Sequence, residues 1–596
     1  MTEKKVTFGR IFWPSLWSAL IVSILGILIW IIAISSLFSG LDNKKGMNLE
    51  DNTVLHMTLN GRIGEKSQTK FNPSALDMEV TLGLSSILNG LEDAKTNDKI
   101  KGIFIEIDAL SCGFATAKEI RDGINDFEKS GKFVVAYNSG EMISHLEYYI
   151  ASAADENYGF PSSTMQFLGL GAELTFYKNT LDKLEVEMQV IRGSGNDFKS
   201  AVEPYFRSSM SDSSRLQIET YISGLWKDYR DDIAKDRKVS SKKLNHYAEN
   251  AMIQRVSDAV EYKLIDATKY RDEVIAIISK KVELAEDKEL KLLSFAKYAK
   301  KKFFQNQVLI KADNPNIAVI LAEGGVAKSG NGLTSDEICQ LFIDARNNES
   351  VKTVVFRINS PGGSALASDE IWREVKLTND VKPVIVSMGD VAASGGYYIA
   401  APATTIFAEP TTITGSIGVF GVIPFTGNLL ENKLGLTFDR AATNKHAIMT
   451  SNRKLTEEEL TVIQESVDDI YLLFKQRVAD GRGMTLEQVN VIARGRVWTG
   501  RDALRVGLVD ELGGLKDAIA FAAKKAGIND VKTLYYPNVK EDKIGELLEM
   551  LNNGEMEASL STEALPKSIM EYYTQLKKLE NIQGIQMRMP YEVIIR

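Results

Sequence analysis

The residue with the strongest pattern for nucleophilic chemistry is Ser394. It lies in GDVAASGGYY, after the apolar strand-like run Val384 to Met388 and before a helix-like run. A serine between small residues at such a turn is exposed to an incoming carbonyl and lies near the positive end of the helix. Glycines that follow it, including Gly395, let a substrate backbone approach closely. Taken alone, SGG is more typical of a tight helix start, so a second motif is needed to indicate a catalytic serine.

A second glycine loop, NSPGGS, follows the strand-like run Val354 to Ile358 and contains Gly362 and Gly363. Consecutive glycines after a proline can direct backbone N–H groups outward, as an oxyanion hole requires. A plain strand-to-helix turn is the other interpretation. Both loops would emerge at the carboxyl ends of neighbouring parallel strands, where open α/β sheets bind ligands. This shared position favours a functional site.

A serine nucleophile needs a base, and the sequence offers two candidates. His446 is the one histidine in the same half of the chain, but no acidic pattern marks it as a triad member. Lys199, in GNDFKSAVEP, can act as a base only when burial depresses its pKa enough to leave the amine neutral. Its small and apolar neighbours suit burial, although a lone lysine is more often a solvated charge. Ser416, in TGSIG, could orient the amine or could belong to a simple turn.

The elements around these residues occur twice along the chain. Matching segments recur at an offset that shortens slowly, as expected for a duplicated domain with small deletions. The matched pairs are Lys101 to Ile107 with Lys352 to Ile358, Tyr148 to Ala151 with Tyr397 to Ala400, and Leu264 to Asp266 with Leu508 to Asp510. The period is far longer than that of solenoid repeats. Two globular units are therefore predicted.

The two copies hold different halves of the candidate site. Alignment places Lys199 of the first copy opposite Met449, and Ser394 of the second copy opposite Ser144 or His145. Neither copy alone is therefore expected to be active.

Each copy alternates strand-like and helix-like runs, which predicts an α/β fold with a largely parallel sheet covered by helices. The stretch from 207 to 293 is charged and rich in helical pattern. The predicted domains are an N-terminal segment and anchor at 1–46, a first repeat at 47–305, a second repeat at 306–534 and a tail at 535–596.

One segment near the N-terminus has the composition of a membrane-spanning helix. Residues 11–38 carry no charge, and 16–38 exceed the roughly 20 apolar residues that a span requires. Lys4, Lys5 and Arg10 precede the segment, which predicts a cytoplasmic N-terminus with the rest of the chain on the other side, although Lys44 and Lys45 oppose this orientation. A cleaved signal peptide is the alternative, but its apolar region is usually shorter.

Composition argues against several other classes of protein. The formal charge is −8 and the pI is near 5.5, with basic and acidic residues interspersed, so a nucleic-acid surface is not expected. Cys112 and Cys339 are the two cysteines and form no CxxC pair. No metal site or cofactor is therefore predicted, while a disulfide between the two cysteines stays open.

Taken together, several motifs make this sequence resemble the signal peptide peptidase A (protease IV) family, in its long double-domain form. They are GDVAASGGYYIAAP, INSPGGS, TGSIG, NDFKSAVEP and GRVWTGRDALRVGLVDELGG. The likeness covers nearly the whole chain, and the tail beyond Tyr535 carries no recognised motif.

The resemblance implies a membrane-anchored serine endopeptidase that degrades remnant signal peptides and other apolar peptides. Ser394 would be the nucleophile, Lys199 its general base and Ser416 the residue that orients the lysine. Backbone amides around Gly362, Gly363 and Gly395 would stabilise the oxyanion.

The resemblance also implies an architecture and a location. The fold would consist of tandem Clp-protease/crotonase-like βαβ superhelix repeats after one transmembrane helix, assembled as a homo-oligomer, a tetramer by resemblance. The catalytic region would lie on the periplasmic side of the bacterial inner membrane.

Two other functions are compatible with parts of this pattern. A catalytically degenerate membrane scaffold would have the same fold, but both dyad residues and both glycine loops are retained. A crotonase-like acyl-CoA enzyme would use a similar oxyanion hole, but it would need neither a membrane anchor nor the pairing of Ser394 with Lys199.

Overall fold

The computed structural model describes Gly26 and residues 49–72, 77–284, 290–330, 332–537, 585–588 and 594–595. The apolar segment 16–38, which the sequence predicts to span a membrane, lies outside the described residues apart from Gly26. Among the described residues there is no helix that combines the length and the apolar character needed to cross a bilayer.

The first sheet contains six described strands, all parallel to their neighbours. In spatial order they are Leu292–Ser294, Thr53–Arg62, Ile100–Ser111, Phe133–Asn138, Glu156–Gly159 and Ala267–Thr268.

The second sheet repeats this order in the later half of the chain, again with parallel neighbours. The corresponding strands are Thr533–Tyr536, Ile317–Glu323, Thr353–Ser360, Val384–Ala393, Thr405–Ala408 and Glu511–Leu512. The strand Val384–Ala393 also pairs in parallel with Ile413–Gly415, which in turn pairs antiparallel with Val497–Thr499.

A third sheet joins the two halves of the chain. Glu187–Arg192 from the first half pairs antiparallel with Phe420–Phe425 from the second. In spatial order the strands of this sheet are Glu187–Arg192, Phe420–Phe425, Ile585–Arg588, Gly362–Ser364, Val326–Ala327 and Leu333–Thr334. The residues around Lys199 are thereby attached to the second half of the chain.

Shorter pairings complete the described sheet structure. They are Gln68–Asn72 with Asp77–Thr81, Met142–Ile143 with Thr164–Met165, and Ala172–Glu173 with Ile594–Ile595.

Helices connect the strands, as the alternating sequence pattern predicts. In the first half they are Leu84–Thr96, Phe114–Glu128, His145–Ala151, Lys178–Lys183, Glu203–Phe206, Asp212–Arg237, Ser241–Glu249, Val256–Glu261, Arg271–Lys281 and Phe295–Ala312, with a 3₁₀ turn at Ser200–Val202. In the second half they are Ser335–Asn347, Ala365–Asn379, Gly395–Ala400, Glu457–Arg482, Leu486–Ile492, Gly500–Arg505 and Leu515–Lys525, with a π turn at Leu429–Lys433.

The two repeats share an apolar core. Side chains alternate along a strand, so each face of a sheet buries its own set of residues. Val319 and Leu321 pack into the large core that contains Leu55 and Ile103 of the first sheet. Ile320, which faces the other way, packs into the core of the second repeat. Both faces of the second sheet are buried, which explains its nearly continuous apolar strands.

A buried ionic cluster also joins the repeats. Arg357, on the strand that leads to the PGG loop, donates hydrogen bonds to Glu65 at 3.0 Å and to Glu119 at 2.6 Å. All three side chains are almost completely buried. Because an unpaired buried charge is strongly destabilising, this cluster favours one relative placement of the two repeats.

The structure confirms the α/β fold that the sequence predicts. The domain boundaries remain predictions: the one at 305/306 falls within the helix Phe295–Ala312, and the one at 534/535 within the strand Thr533–Tyr536. Cys112 and Cys339 are both free thiols, so the two cysteines form no disulfide with each other.

Candidate active site

Ser394 lies at the turn between the strand Val384–Ala393 and the helix Gly395–Ala400. Its backbone has φ +56° and ψ −116°, an unusual conformation for a residue with a side chain. Its N–H donates to the carbonyl of Gly415 at 2.8 Å, which anchors the turn to the next strand. Strained backbone of this kind is often found at functional sites.

The side chains of Lys199, Ser394 and Ser416 meet in the folded chain. The Nζ of Lys199 lies 2.8 Å from the Oγ of Ser394. It also lies 2.9 Å from the carbonyl oxygen of Ser416 and 3.0 Å from its Oγ. All three residues are fully buried. The halves of the site predicted for the two repeats are therefore brought together within one chain.

Burial determines the electrostatic state of this group. Desolvation lowers the pKa of Lys199 well below the usual value for a lysine amine. Among the described residues no carboxylate forms an ion pair with Lys199, so no opposite charge offsets the cost of burying a charged amine. The neutral amine, which can accept a proton, is favoured.

The hydrogen-bond geometry around the Lys199 amine suits the acceptance of a proton. A neutral amine has two N–H groups and one lone pair. When both N–H groups are directed to the oxygens of Ser416, the lone pair remains for the hydroxyl of Ser394. Ser416 can thus orient the amine for proton transfer.

The backbone of Lys199 is fixed by contacts from the other repeat. The N–H of Phe198 donates to the carbonyl of Arg494 at 2.9 Å. The side chain of Gln217 donates to Phe198 O at 3.0 Å and to Ser200 Oγ at 2.7 Å, and it accepts from the N–H of Val497 at 3.2 Å. Gln217 therefore ties the lysine segment to the second repeat.

Gly495 provides the space that Lys199 occupies. It has φ +77°, and an added Cβ would lie 2.5 Å from the Cβ of Lys199 and 2.6 Å from its backbone nitrogen. Sequence reasoning missed both Gln217 and Gly495. Gly495 is the first residue of the motif GRVWTGRDALRVGLVDELGG, but nothing in that motif assigns it a role beside the lysine, and Gln217 lies outside every motif named above.

Ser416 follows directly after the strand Ile413–Gly415 and has φ +50°. Its N–H donates to the carbonyl of Arg496 at 2.7 Å. The hydroxyl of Thr414 donates to Ala392 O at 2.6 Å, which ties this strand to the one that carries Ser394. The positions of the two serines are thus coupled through adjacent parallel strands.

The two glycine loops predicted to form the oxyanion hole adjoin one another. Gly362 has φ +91°, and an added Cβ would lie 2.6 Å from the backbone nitrogen of Gly395. A Cβ on Gly363 would lie 2.1 Å from the carbonyl oxygen of Val326. The N–H of Gly362 donates to Ser360 Oγ at 3.2 Å. Only glycine fits at positions 362 and 363, because neighbouring backbone atoms leave no room for a Cβ.

The alternative base does not contact the nucleophile. His446 is half-exposed and lies beside Glu459 and Glu458, at 3.3 and 3.6 Å. Met449, which the alignment places opposite Lys199, is exposed.

The position of the first repeat that corresponds to Ser394 has a structural role. Ser144 caps the helix His145–Ala151. His145 packs against Phe167, Trp226 and Tyr229, and burial lowers its pKa to about 4.

A serine hydroxyl beside a buried amine, with glycine amides close by, is an arrangement suited to acyl transfer. The profile of peptidase family S49 matches residues 126–285 and 376–529. The chain belongs to this family.

The names of similar proteins agree with the assignment to this family. The chain is 33% identical to "Serine protease SPPA, chloroplastic" of Arabidopsis thaliana, over 80% of this chain and 69% of the relative. It is 34% identical to "Protease 4" of Salmonella typhi, over 80% of this chain and 77% of the relative. It is 37% identical to "Putative signal peptide peptidase SppA" of Enterococcus faecium, over 38% of this chain and 68% of the relative. The resemblance to signal peptide peptidase A is confirmed, and the protein is a serine protease of family S49.

Proposed function

We propose that this protein is a membrane-anchored serine endopeptidase with a Ser/Lys dyad that degrades remnant signal peptides after their release from preproteins. The observation that carries the dyad is the 2.8 Å approach of a fully buried lysine amine to the Ser394 hydroxyl. Membrane anchoring rests on the apolar segment 16–38. The substrate class rests on the name of the Enterococcus faecium relative.

The first half of the reaction forms an acyl-enzyme. Neutral Lys199 accepts the proton of Ser394 as the Oγ attacks the substrate carbonyl carbon. Amides at the two glycine loops stabilise the negative charge that develops on the carbonyl oxygen. The Lys199 ammonium then donates its proton to the leaving amine, and the peptide bond breaks.

The second half releases the product. Lys199 accepts a proton from water, which attacks the ester on Ser394, and the serine recovers its proton as the acid product leaves. Lys199 takes part in every proton transfer, and the N–H contacts with Ser416 hold the amine in place throughout.

The proposal also includes the cellular location of the enzyme and its assembly. The catalytic region would lie on the periplasmic side of the bacterial inner membrane, as a homo-oligomer. Within one chain the amine of Lys199 and the hydroxyl of Ser394 already lie at hydrogen-bond distance. Oligomerisation is therefore not required to bring the two reacting groups together.

The test uses the full chain with an apolar fluorogenic peptide and a fluorophosphonate probe. Ser394→Ala should lose peptide cleavage and probe labelling. Lys199→Met, which keeps the volume of the side chain, should reduce turnover by about 10²- to 10⁴-fold, the usual range for a general base. Lys183→Met, at an exposed lysine of the first repeat, is the matched control. Unchanged turnover in Lys199→Met would refute the dyad, and a folded wild-type chain that neither cleaves nor labels would favour the scaffold function.

A further inference from the structure

The strand Val384–Ala393, which leads to the candidate nucleophile, carries a bulge just before its end. Its pairing with the neighbouring strand is regular up to Met388, which lies opposite Ile358. It resumes at Ala392, which lies opposite Ser360. The pairing thus advances from 358 to 360 on one strand and from 388 to 392 on the other, so the nucleophile strand has two extra residues. A bulge bends its strand and re-aims the side chains beside it, and bulges are over-represented next to active sites.

Among the described residues, the corresponding strands of the first repeat, which lacks the nucleophile, pair without such a bulge. Ile107, the counterpart of Ile358, lies opposite Asn138, and the pairing is in register up to this point, where it ends. The bulge is thus found in the copy of the fold that carries Ser394. It is a feature of the candidate site and not of the repeat as such.

The side chain of Asn359 bridges the interruption that the bulge makes in the ladder. Asn359 lies between the last regular pair and the pair at which regular pairing resumes. Its Oδ1 accepts a hydrogen bond from the N–H of Val391, one of the bulged residues, at 3.2 Å. A bulge takes backbone groups out of the ladder, and such groups need another partner. Asn359 supplies that partner three residues before Ser394.

The other end of the Asn359 amide is held by the first repeat. Its Nδ2 donates to Glu65 Oε1 at 3.2 Å, and Glu65 Oε2 accepts from the Nε of Arg357 at 3.0 Å. The backbone N–H of Glu65 donates to the carboxylate of Glu323 at 3.0 Å, so Glu65 is itself fixed by the second repeat. An amide has one accepting and one donating end. An N–H at one end and a carboxylate at the other therefore determine how Asn359 is oriented.

Gly389 admits this contact from the side of the nucleophile strand. An added Cβ would lie 2.8 Å from Glu65 Oε1 and 3.0 Å from the Cγ of Asn359. The carbonyl of Gly389 accepts a hydrogen bond from the hydroxyl of Thr412 at 2.8 Å. Thr412 directly precedes the strand Ile413–Gly415 on the opposite side. The bulge is thus held from both sides, by Asn359 and by Thr412.

We propose that Asn359 is a positioning residue for the reaction. It holds the bulge that presents Ser394 to Lys199, and Glu65 of the first repeat holds Asn359 in the orientation that this requires. The residue acts through the backbone of the nucleophile strand and not on the substrate. The inference rests on the function proposed above, because it takes Ser394 to be the nucleophile.

The first experiment exchanges donor and acceptor between positions 359 and 65. Asn359→Asp keeps the acceptor for Val391 but sets a second carboxylate against Glu65. Glu65→Gln leaves one acceptor oxygen for two donors, the Nε of Arg357 and the Nδ2 of Asn359. Each single variant should lower kcat for the fluorogenic peptide by about 10- to 100-fold, the usual cost of a misplaced reacting group. KM should change by less, because the contact orients the nucleophile and does not bind the peptide.

The double variant should recover activity. The amide at position 65 then donates to the carboxylate at position 359, so each contact again has one donor and one acceptor. We expect kcat within about threefold of the wild type, whereas independent sites would lose the product of the two single effects. Asn347→Asp and Glu261→Gln, at exposed positions, are the matched controls and should keep the wild-type kcat. Single variants with wild-type kcat, or a double variant without recovery, would overturn the proposal.

The second experiment disturbs the same contact from the nucleophile strand. In Gly389→Ala the added Cβ meets the carboxylate of Glu65 and the amide of Asn359, so the bulge must shift and kcat should fall. Combined with Asn359→Asp, it should cost less than the product of the two single losses, because both changes act on one contact. Gly171→Ala is the control, since nothing lies within 4 Å of its Cβ position. Equal kcat in the two alanine variants would contradict the proposed role.

A third measurement needs no catalysis. Amide hydrogen exchange is followed in the full-length Ser394→Ala chain, alone and combined with Asn359→Asp or Asn347→Asp. Exchange at residues 389–393 should become faster with Asn359→Asp, because the bulge loses its anchor, and should stay the same with Asn347→Asp. Equal exchange in all three proteins would show that Asn359 does not hold the bulge.

These measurements separate the inference from the proposed function. If exchange responds as expected but the wild type neither cleaves peptides nor labels at Ser394, Asn359 anchors the bulge and the proposed function fails. If the wild type cleaves peptides but neither kcat nor exchange responds to Asn359→Asp, the proposed function stands and the positioning role of Asn359 is excluded.

Discussion

Asp390, four residues before Ser394, caps a helix of the other repeat. Its carboxylate accepts from the N–H of Thr116 at 2.8 Å and from the Thr116 hydroxyl at 2.7 Å. The helix Phe114–Glu128 begins after Gly113, which has no side chain to cap it, and a Cβ on Gly113 would lie 2.2 Å from the Cγ of Asp390. The first repeat thereby anchors the segment that carries the candidate nucleophile.

Asp390→Ala should therefore affect both stability and turnover. Loss of a helix cap costs about 1 kcal/mol of unfolding free energy, and the loop before Ser394 loses its anchor. We expect a lower kcat, measured with the fluorogenic peptide, together with a lower midpoint in chemical denaturation. Ser240→Ala removes the cap of the helix Ser241–Glu249 and should cost similar stability without lowering kcat. Equal kcat in the two variants would mean that Asp390 does not position Ser394.

The pH dependence of turnover tests the role of Ser416. Because burial lowers the pKa of Lys199, the rate should rise with pH to a plateau, with an apparent pKa below that of a free lysine amine. Ser416→Ala removes an acceptor of the protonated amine, which should lower this apparent pKa further. It should also reduce the plateau, because the neutral amine is less well oriented.

The control is Ser466→Ala, at an exposed serine whose hydroxyl donates to a carbonyl of its own helix. Its pH–rate profile should match that of the wild type. A Ser416→Ala profile with an unchanged midpoint and plateau would contradict the proposed contact between Ser416 and the amine.

Gly495→Ala tests the packing beneath Lys199. The added Cβ would lie 2.5 Å from the Cβ of Lys199, so the lysine or the glycine loop must move. Displacing the amine by even a fraction of an ångström weakens proton transfer, and we expect a large loss of kcat. Gly483→Ala is a matched control, since Gly483 also has positive φ, at +62°, but open space around its Cβ position.

Both glycine variants should lose roughly 1 kcal/mol of stability from the strained backbone. Only Gly495→Ala should also lose kcat, and by more than the loss of stability explains. Equal kcat in the two variants would contradict the steric argument.

The buried ionic cluster should make stability depend on pH. Burial raises the pKa of Glu65 to about 7, although Arg357 opposes the shift. The folded state then binds more protons than the unfolded state between the ordinary value of 4.5 and about 7. The unfolding free energy should therefore fall as pH rises through this window, by up to about 3 kcal/mol.

Glu65→Gln should reduce this slope, because the side chain no longer titrates. Denaturation by urea at a series of pH values measures the slope of the unfolding free energy against pH. Glu261→Gln, at an exposed glutamate, should leave the slope as it is in the wild type. A Glu65→Gln slope equal to that of the wild type would show that Glu65 titrates alike in the folded and unfolded states.

Local patterns predicted the elements of this fold well. The run Val354 to Ile358 became the strand Thr353–Ser360, and the run Val384 to Met388 became the strand Val384–Ala393. Apolar spacing and turn residues act over a few positions, so they can be interpreted without knowing the rest of the chain. By contrast, the role of Gln217 depends on Phe198 and Val497, which lie in other elements.

By itself, the sequence determined the duplication, the α/β fold and the chemical types available: a serine at a strand-to-helix turn, two glycine loops and a lysine in apolar surroundings. Only the tertiary structure decided that Lys199 and Ser394, 195 residues apart, lie at 2.8 Å. It alone placed the tail carbonyl of Met587 against Gly362. The reason is physical. Burial and hydrogen-bond distance arise from the packing of whole repeats against each other, and no local pattern carries that information.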